Sequence, residues 1–224
     1  MSEENRKAIR ISVRNLVEFV LRSGDIDNRR SGNAQKDAML AGGRIHRKIQ
    51  KRMGSGYRAE VPLKHEVQDE EQEITLLVEG RADGIFTENG IPVIDEIKGM
   101  YTDISRLEEP IEVHLAQAMC YGYFYCCDKD LDGIRLQMTY CNLETEEIKR
   151  FQTERSREEL ETWFSSVVHE YFKWARYLYH HELTRDASIG HLEFPFPYRA
   201  GQRDLVVAVY RTVKIGRASC RERV

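Results

Sequence analysis

The sequence predicts an α/β fold with a mixed central sheet flanked by helices. Three observations carry this. Four segments place apolar residues at helical spacing, five others have the length and composition of strands, and the two kinds interleave along the chain. The size fits as well: 224 residues, 41% of them hydrophobic, can bury a sizeable core and exceed the usual domain length of about 100–150 residues.

Taken in order, Ile9, Val13, Leu16, Val17 and Val20 predict a first helix over Ile9–Leu21, closed by Ser23-Gly24-Asp25. A second fits Ala34–Met53, with Ala38, Gly42, Ile45, His46 and Ile49 along one side. Three extended runs follow, Arg58–Val67, Glu73–Val78 and Pro92–Lys98, with Glu88-Asn89-Gly90 as a turn of the Asn-Gly kind. His114–Cys126 predicts a helix whose Tyr121, Tyr123, Phe124 and Tyr125 form an aromatic face. Ile134–Cys141 and Glu147–Thr153 alternate as strands around Leu143-Glu144-Thr145. Ser156-x-x-Glu159 is a capping-box signal for a long helix with Leu160, Trp163, Phe164, Val167, Val168 and Tyr171 inward. No internal repeat or low-complexity segment interrupts the pattern.

Composition narrows the function classes. No apolar run is long enough to cross a bilayer, and Met1-Ser-Glu-Glu-Asn-Arg-Lys7 is charged without a following apolar signal region, so a cytoplasmic protein without a membrane partner is expected. Cys120, Cys126, Cys127, Cys141 and Cys220 lack the paired spacing of a zinc site and read as reduced thiols. A formal charge of −3 argues against a protein that coats nucleic acid indiscriminately, yet leaves room for a local basic patch. Ile215–Val224 resembles a translated sequencing adapter and is set aside from fold reasoning, which implies a reading frame cut near Lys214.

Four elements stand in order between Gly42 and Tyr121: Gly42-x3-His46, Asp83 within Glu79-Gly-Arg-Ala-Asp-Gly84, Asp95-Glu96-Ile97-Lys98, and Gln117-x3-Tyr121. Hydrolysis of a phosphodiester needs charge neutralised at the phosphate and a hydroxide generated near neutral pH. Carboxylates at Asp83 and Glu96 suit a hard cation such as Mg²⁺ or Mn²⁺, which prefers oxygen ligands. Glu96 and Lys98 flank one residue of a predicted strand, so both leave the same face and set a cation beside the carboxylate. That cation could orient or deprotonate water and stabilise a charged transition state. Gly42 costs roughly 1 kcal/mol of helix propensity relative to Ala, which predicts close packing one turn before His46. Gln117 and Tyr121, four apart, can reach a common partner.

This ordered set resembles the RecB-like branch of the PD-(D/E)XK nuclease superfamily, over roughly residues 8–180. The resemblance implies a restriction-endonuclease-like core and a DNA-hydrolysing activity. It also implies that His46, Asp83, Glu96 and the Ile97 carbonyl ligate Mg²⁺ or Mn²⁺, that Lys98 is the catalytic lysine, and that Gln117 and Tyr121 position DNA or that lysine. Glu60 resembles a further acidic position before the aspartate strand. Some relatives bind an iron–sulfur cluster through a cysteine upstream of the histidine motif; none precedes Gly42 here, so no cluster is expected.

A second resemblance lies at Phe194-Pro-Phe-Pro-Tyr-Arg-Ala-Gly-Gln-Arg203, similar to the entry motif of superfamily 2 helicases of the XPD/DinG type, in which the glutamine, here Gln202, reads the adenine of ATP. No Gly-Lys-Ser/Thr phosphate loop follows, so ATP would serve only an untruncated protein. The expected organisation is a nuclease domain over 1–185, a linker and the beginning of a helicase over 186–214, and the adapter-like tail over 215–224, in a DNA helicase-nuclease of repair or processing. The alternative is a DNA-binding accessory module of the helicase that does not cut. A stand-alone restriction-type endonuclease is disfavoured by the helicase-like ending.

Overall fold

The computed structural model describes residues 7–22, 32–69, 74–193 and 195–215, with backbone alone for 32–39, 214 and 215. The chain divides into two compact units, Met1–Tyr179 and His180–Val224. In order come β1 (Lys7–Ser12), α1 (Val13–Val20), α2 (Gly32–Arg52), β2 (Arg58–Gln68), β3 (Ile74–Glu88), β4 (Ile91–Met100), a 3-10 turn at Ile104–Arg106, α3 (Glu112–Lys129), β5 (Gly133–Asn142), β6 (Ile148–Ser156), α4 (Arg157–Gly190) and α5 (Gln202–Ile215). This is a mixed central sheet flanked by helices, as expected. No described helix is long and apolar enough to cross a membrane.

The sheet turns on β3. β2 pairs with it antiparallel, from Arg58 opposite Ile85 to Gln68 opposite Thr75, and so takes one edge. The other edge is shared. β1 lies parallel along Ile74–Glu79, and β4 lies antiparallel along Gly84–Glu88. Between them, Gly80 to Asp83 have no strand on that side. β4 continues into parallel β5, which pairs antiparallel with β6.

Two elements differ from the sequence expectation. Lys7–Ser12 is a strand, not the start of the first helix. Ile9 and Ile11 alternate about Arg10 and face Leu76 and Val78 across the ladder, so a parallel partner remote in sequence outweighs the helical spacing. The helix begins at Val13, where the Ser12 hydroxyl accepts the Asn15 N–H at 3.1 Å. β3 also runs ten residues past its expected end at Val78 because its two glycines make room for rings instead of breaking the strand. A Cβ at Gly80 would lie 2.6 Å from the Tyr121 hydroxyl, and one at Gly84 would lie 1.8 Å from the Tyr57 ring. The remaining boundaries fall within three residues of those expected. The turn between β3 and β4 has Asn89 and Gly90 both left-handed, at φ 53° and 81°. The capping box forms too: Glu159 N–H donates to Ser156 Oγ at 3.1 Å and Ser156 N–H to Glu159 Oε2 at 2.8 Å.

The two faces of the sheet are packed unequally. On one, Leu16 and Val17 of α1, Phe124 of α3 and Leu160, Phe164 and Val168 of α4 enclose Leu76, Val78, Leu136, Met138 and Tyr140. On the other, Ile45 and Ile49 of α2 cover Ile97 and Cys141, with Leu143 and Ile148 half-buried beside them. Trp163 and Tyr171, expected inside, are half-buried at the margin. A Cβ at Gly42 would meet nothing within 4 Å, so the close packing predicted there is absent.

The two glycines should therefore respond oppositely to alanine. Gly84→Ala forces the Tyr57 ring away and is expected to cost about 1–3 kcal/mol. Gly42→Ala, with open space around it, should add up to about 1 kcal/mol through helix propensity. Urea unfolding midpoints of both variants check the signs.

Candidate active site

The gap on β3 is where the charged side chains gather. Pairing of β3 with β4 ends at Gly84 opposite Asp95, so the next β4 amides have no carbonyl from β3. The Asp83 carboxylate fills that role: its Oδ2 accepts the Ile97 N–H at 2.7 Å. From α2, His46 Nδ1 stands 3.3 Å from Asp83 Oδ1. One turn further along α2, Gln50 Nε2 donates to the Asp83 carbonyl at 2.9 Å and to Glu60 Oε1 at 3.3 Å. Glu60 adopts φ 53°, and β2 skips its ladder pairing opposite Asp83, so a side chain from α2 takes the Asp83 carbonyl instead.

On β4, Glu96 and Lys98 leave the same face, as their spacing predicted. Lys98 Nζ donates to Glu96 Oε1 and to Gln117 Oε1 of α3, each at 2.8 Å. Tyr121, one turn beyond Gln117, is buried with its ring on Gly80 at the edge of the gap. Glu96 is 4% exposed, and its Oε2 is a buried oxygen without a hydrogen-bond partner. Of the residues singled out in the sequence, His46, Asp83, Glu96, Ile97, Lys98, Gln117 and Tyr121 thus belong to one linked cluster. Ile97 contributes its N–H and packs its side chain under α2.

Burial pushes the Glu96 carboxyl up to about 7, more than the neighbouring Lys98 draws it down. Burial alone would lower the His46 imidazole, but its hydrogen bond to Asp83 and the Asp83 charge outweigh that and leave it raised. Burial also lifts the Tyr121 phenol above its usual range.

Beside the cluster lies a buried carboxylate that the sequence reading did not single out. Asp95 is wholly buried; it accepts Tyr57 Oη on Oδ2 at 3.0 Å, and on Oδ1 Gln137 Nε2 at 3.0 Å and Thr139 Oγ1 at 2.6 Å. Burial raises its carboxyl despite these bonds. The signal available was the pair Gln137 and Thr139, two apart on a strand of otherwise apolar alternation. Tyr57 sits at the junction between α2 and β2, so its bond to Asp95 fastens the end of the His46 helix to the sheet. Gln50 was missed too, although it follows His46 by four residues on the same helix face.

Among the described residues, no group of three or more His, Cys, Asp or Glu side chains closes into a metal-binding cage. The donor chemistry nevertheless fits a divalent cation. Glu96 Oε2 is an acceptor buried without a donor, a costly condition that a cation would relieve, and Asp83 lies beside it. Mg²⁺ in particular is commonly held by one or two carboxylates, with waters and substrate phosphates completing its shell. Cys120, Cys126, Cys127 and Cys141 are free thiols; Cys220 and Phe194 lie outside the described residues. Gln202 opens α5 in the second unit, where its Oε1 accepts the Arg199 N–H at 3.0 Å and closes the preceding turn.

No protein-family model matches the chain, and no curated protein matches it. Among solved structures it is similar to the crystal structure of SSO0001, with TM-score 0.46 and 17% identity over 75% of this chain and 77% of that one. It is also similar to the alkaline exonuclease LHK-Exo from Laribacter hongkongensis, with TM-score 0.42 and 13% identity over 78% of this chain and 94% of that one. The complex of LHK-Exo with dAMP gives TM-score 0.41 and 13% identity over 78% and 93%. Likenesses this loose carry no residue-level information, and the site stands on its own geometry.

The raised Glu96 carboxyl has a consequence for stability. Between its ordinary value of 4.5 and about 7, the folded chain keeps a proton there that the unfolded chain has released. Through this group, stability therefore falls as pH rises across that window. Glu96→Gln should remove this contribution, so that in EDTA its urea midpoint declines less than the wild type's between the two ends of the window. An equal decline in both proteins would refute the buried, proton-holding state of Glu96.

Proposed function

We propose that the chain is a metal-dependent deoxyribonuclease domain with a restriction-endonuclease-like core, cleaving phosphodiester bonds with Mg²⁺ or Mn²⁺. The observation that carries this is Glu96 Oε2: a buried, unpartnered carboxylate oxygen between Asp83 and a lysine held in place from two sides. Asp83, Glu96, His46 and the Ile97 carbonyl would hold the metal, which would supply Lewis-acid activation of the phosphate and of a bound water.

The chain's own residues prepare the rest. Lys98 has three N–H donors, and Glu96 and Gln117 use two of them. The third is left for the attacking water or a phosphate oxygen, where a fixed cation stabilises charge that develops in the transition state. Gln117 fixes the ammonium, and Tyr121 closes the gap beside it. Asp83 bridges β3, β4 and α2 and so sets the spacing between His46 and Glu96. In this reading the domain occupies 1–185 and works in the cytoplasm within a DNA helicase-nuclease that acts in repair or processing, with Gln202 reading ATP in the longer protein. The alternative is a non-cleaving DNA-binding accessory module of the helicase; Lys98 held against Glu96, beside an unpartnered carboxylate oxygen, supports cutting over binding alone.

The purified protein should degrade DNA with Mn²⁺ or Mg²⁺ and stop with EDTA. Lys98→Ala should reduce cleavage by roughly 10²–10⁴-fold while retaining the fold by circular dichroism. Cleavage by that variant at the wild-type rate would sink the assignment. Because imidazole favours Mn²⁺ over Mg²⁺, His46→Ala should narrow the ratio of Mn²⁺- to Mg²⁺-supported rates.

A further inference from the structure

Between Asp37 and Glu60 the chain carries Arg44, Arg47, Lys48, Lys51, Arg52 and Arg58 and no carboxylate, although acids outnumber cations overall, 37 to 34. The first five lie on α2, the helix that also supplies His46 and Gln50. At 3.6 residues per turn, the helix surface divides into sectors. Ile45 and Ile49 are buried against the sheet. Next to them, His46 and Gln50 bond to Asp83. Beyond them, on the side of the helix turned away from the sheet, lie Arg44, Arg47 and Lys51, all exposed and spaced three and four apart, so they form a stripe whose near edge, Arg47, adjoins the Gln50 side of the site. Lys48 and Arg52 fall on the far side, where Lys48 pairs with Glu146. Arg44, Arg47 and Lys51 have no ion pair among the described residues, whereas Arg14, Arg106, Lys129 and Lys173 each face a carboxylate.

We infer that Arg44, Arg47 and Lys51 are the track on which the phosphate backbone of the DNA strand lies as it enters the site. This rests on the nuclease reading for its substrate. The stripe covers seven residues of rise, about 10 Å, at 1.5 Å per residue. At the duplex rise of about 3.4 Å per nucleotide of one strand this is roughly three steps, and fewer in an extended single strand, whose phosphates the long Arg and Lys side chains can share. A flexible strand can follow it, and the contacts carry no sequence information because they address phosphates alone. The track also explains how a chain of net negative charge can hold a polyanion: the attraction is concentrated on one helix flank.

The test compares two triple variants in the Lys98→Ala background, with fluorescein-labelled oligothymidylate and anisotropy read over a KCl series in EDTA. Arg44→Gln/Arg47→Gln/Lys51→Gln should weaken binding roughly tenfold or more and reduce the slope of log affinity against log salt by about 2, at about 0.7 per single-strand phosphate contact. Arg106→Gln/Lys129→Gln/Lys173→Gln, an equal loss of charge elsewhere, should change neither beyond a small factor. Mn²⁺ binding by calorimetry, unchanged in the first variant, would show that α2 still forms the site. An unaltered slope in the first variant, or an equal loss in the second, would overturn the track. A wild-type protein that binds through the stripe yet never cleaves with Mn²⁺ would overturn the nuclease reading and uphold the track.

Discussion

β3 has two edges and three neighbours, and the site follows from that. Because β2 runs along one edge from Thr75 to Ile85, β1 and β4 share the other, and neither reaches Gly80 to Asp83. A sheet interior with unpaired amides is costly unless something else supplies the partners. Asp83 does so by accepting the Ile97 N–H, and this one bond turns a defect in the ladder into an opening with a carboxylate at its mouth. Glu96 and Lys98 lie on β4 just past the point where it leaves β3, and α2 closes the opening from above through His46 and Gln50.

The electrostatics of the opening are unbalanced in a way that a packed core would not tolerate. Glu96 is buried with one oxygen satisfied by Lys98 and the other by nothing. Asp95, its neighbour in sequence, is buried more deeply yet takes three donors. Adjacent residues of one strand point to opposite faces, so the same strand carries a saturated carboxylate and an unsaturated one. The saturated one secures structure, tying Tyr57 and β5 to β4. The unsaturated one keeps an acceptor in reserve, at a cost of about 1–3 kcal/mol for a buried polar atom left unpaired.

The glycines of β3 show how backbone and site depend on one another. Gly80 and Gly84 leave the strand without side chains where Tyr121 and Tyr57 cross it, one ring on each side of Asp83 along the chain. Tyr121 comes from the helix that fixes Lys98 through Gln117, and Tyr57 from the connection that follows His46 and Gln50. Each ring therefore sets the distance of a functional helix from the strand that carries Asp83, and the volume of one methyl group at either position would disturb it.

Much was legible from periodicity and local chemistry alone. Helical spacing marked α2, α3 and α4, the Asn-Gly pair marked the β3–β4 turn, and Ser156 with Glu159 marked the start of α4, because each depends on contacts within a few residues. The spacing of Glu96 and Lys98 already placed them on one face, and they meet at 2.8 Å. What tertiary structure alone decided was long-range pairing. Lys7–Ser12 became a strand because β3 offered it a ladder 67 positions later, and Gly80 and Gly84 proved to be seats for distant rings in a strand whose local pattern ended at Val78. Asp95, Tyr57 and Gln50 acquired their roles only when β5 and α2 came together over β4, since nothing within a few residues of each names its partner.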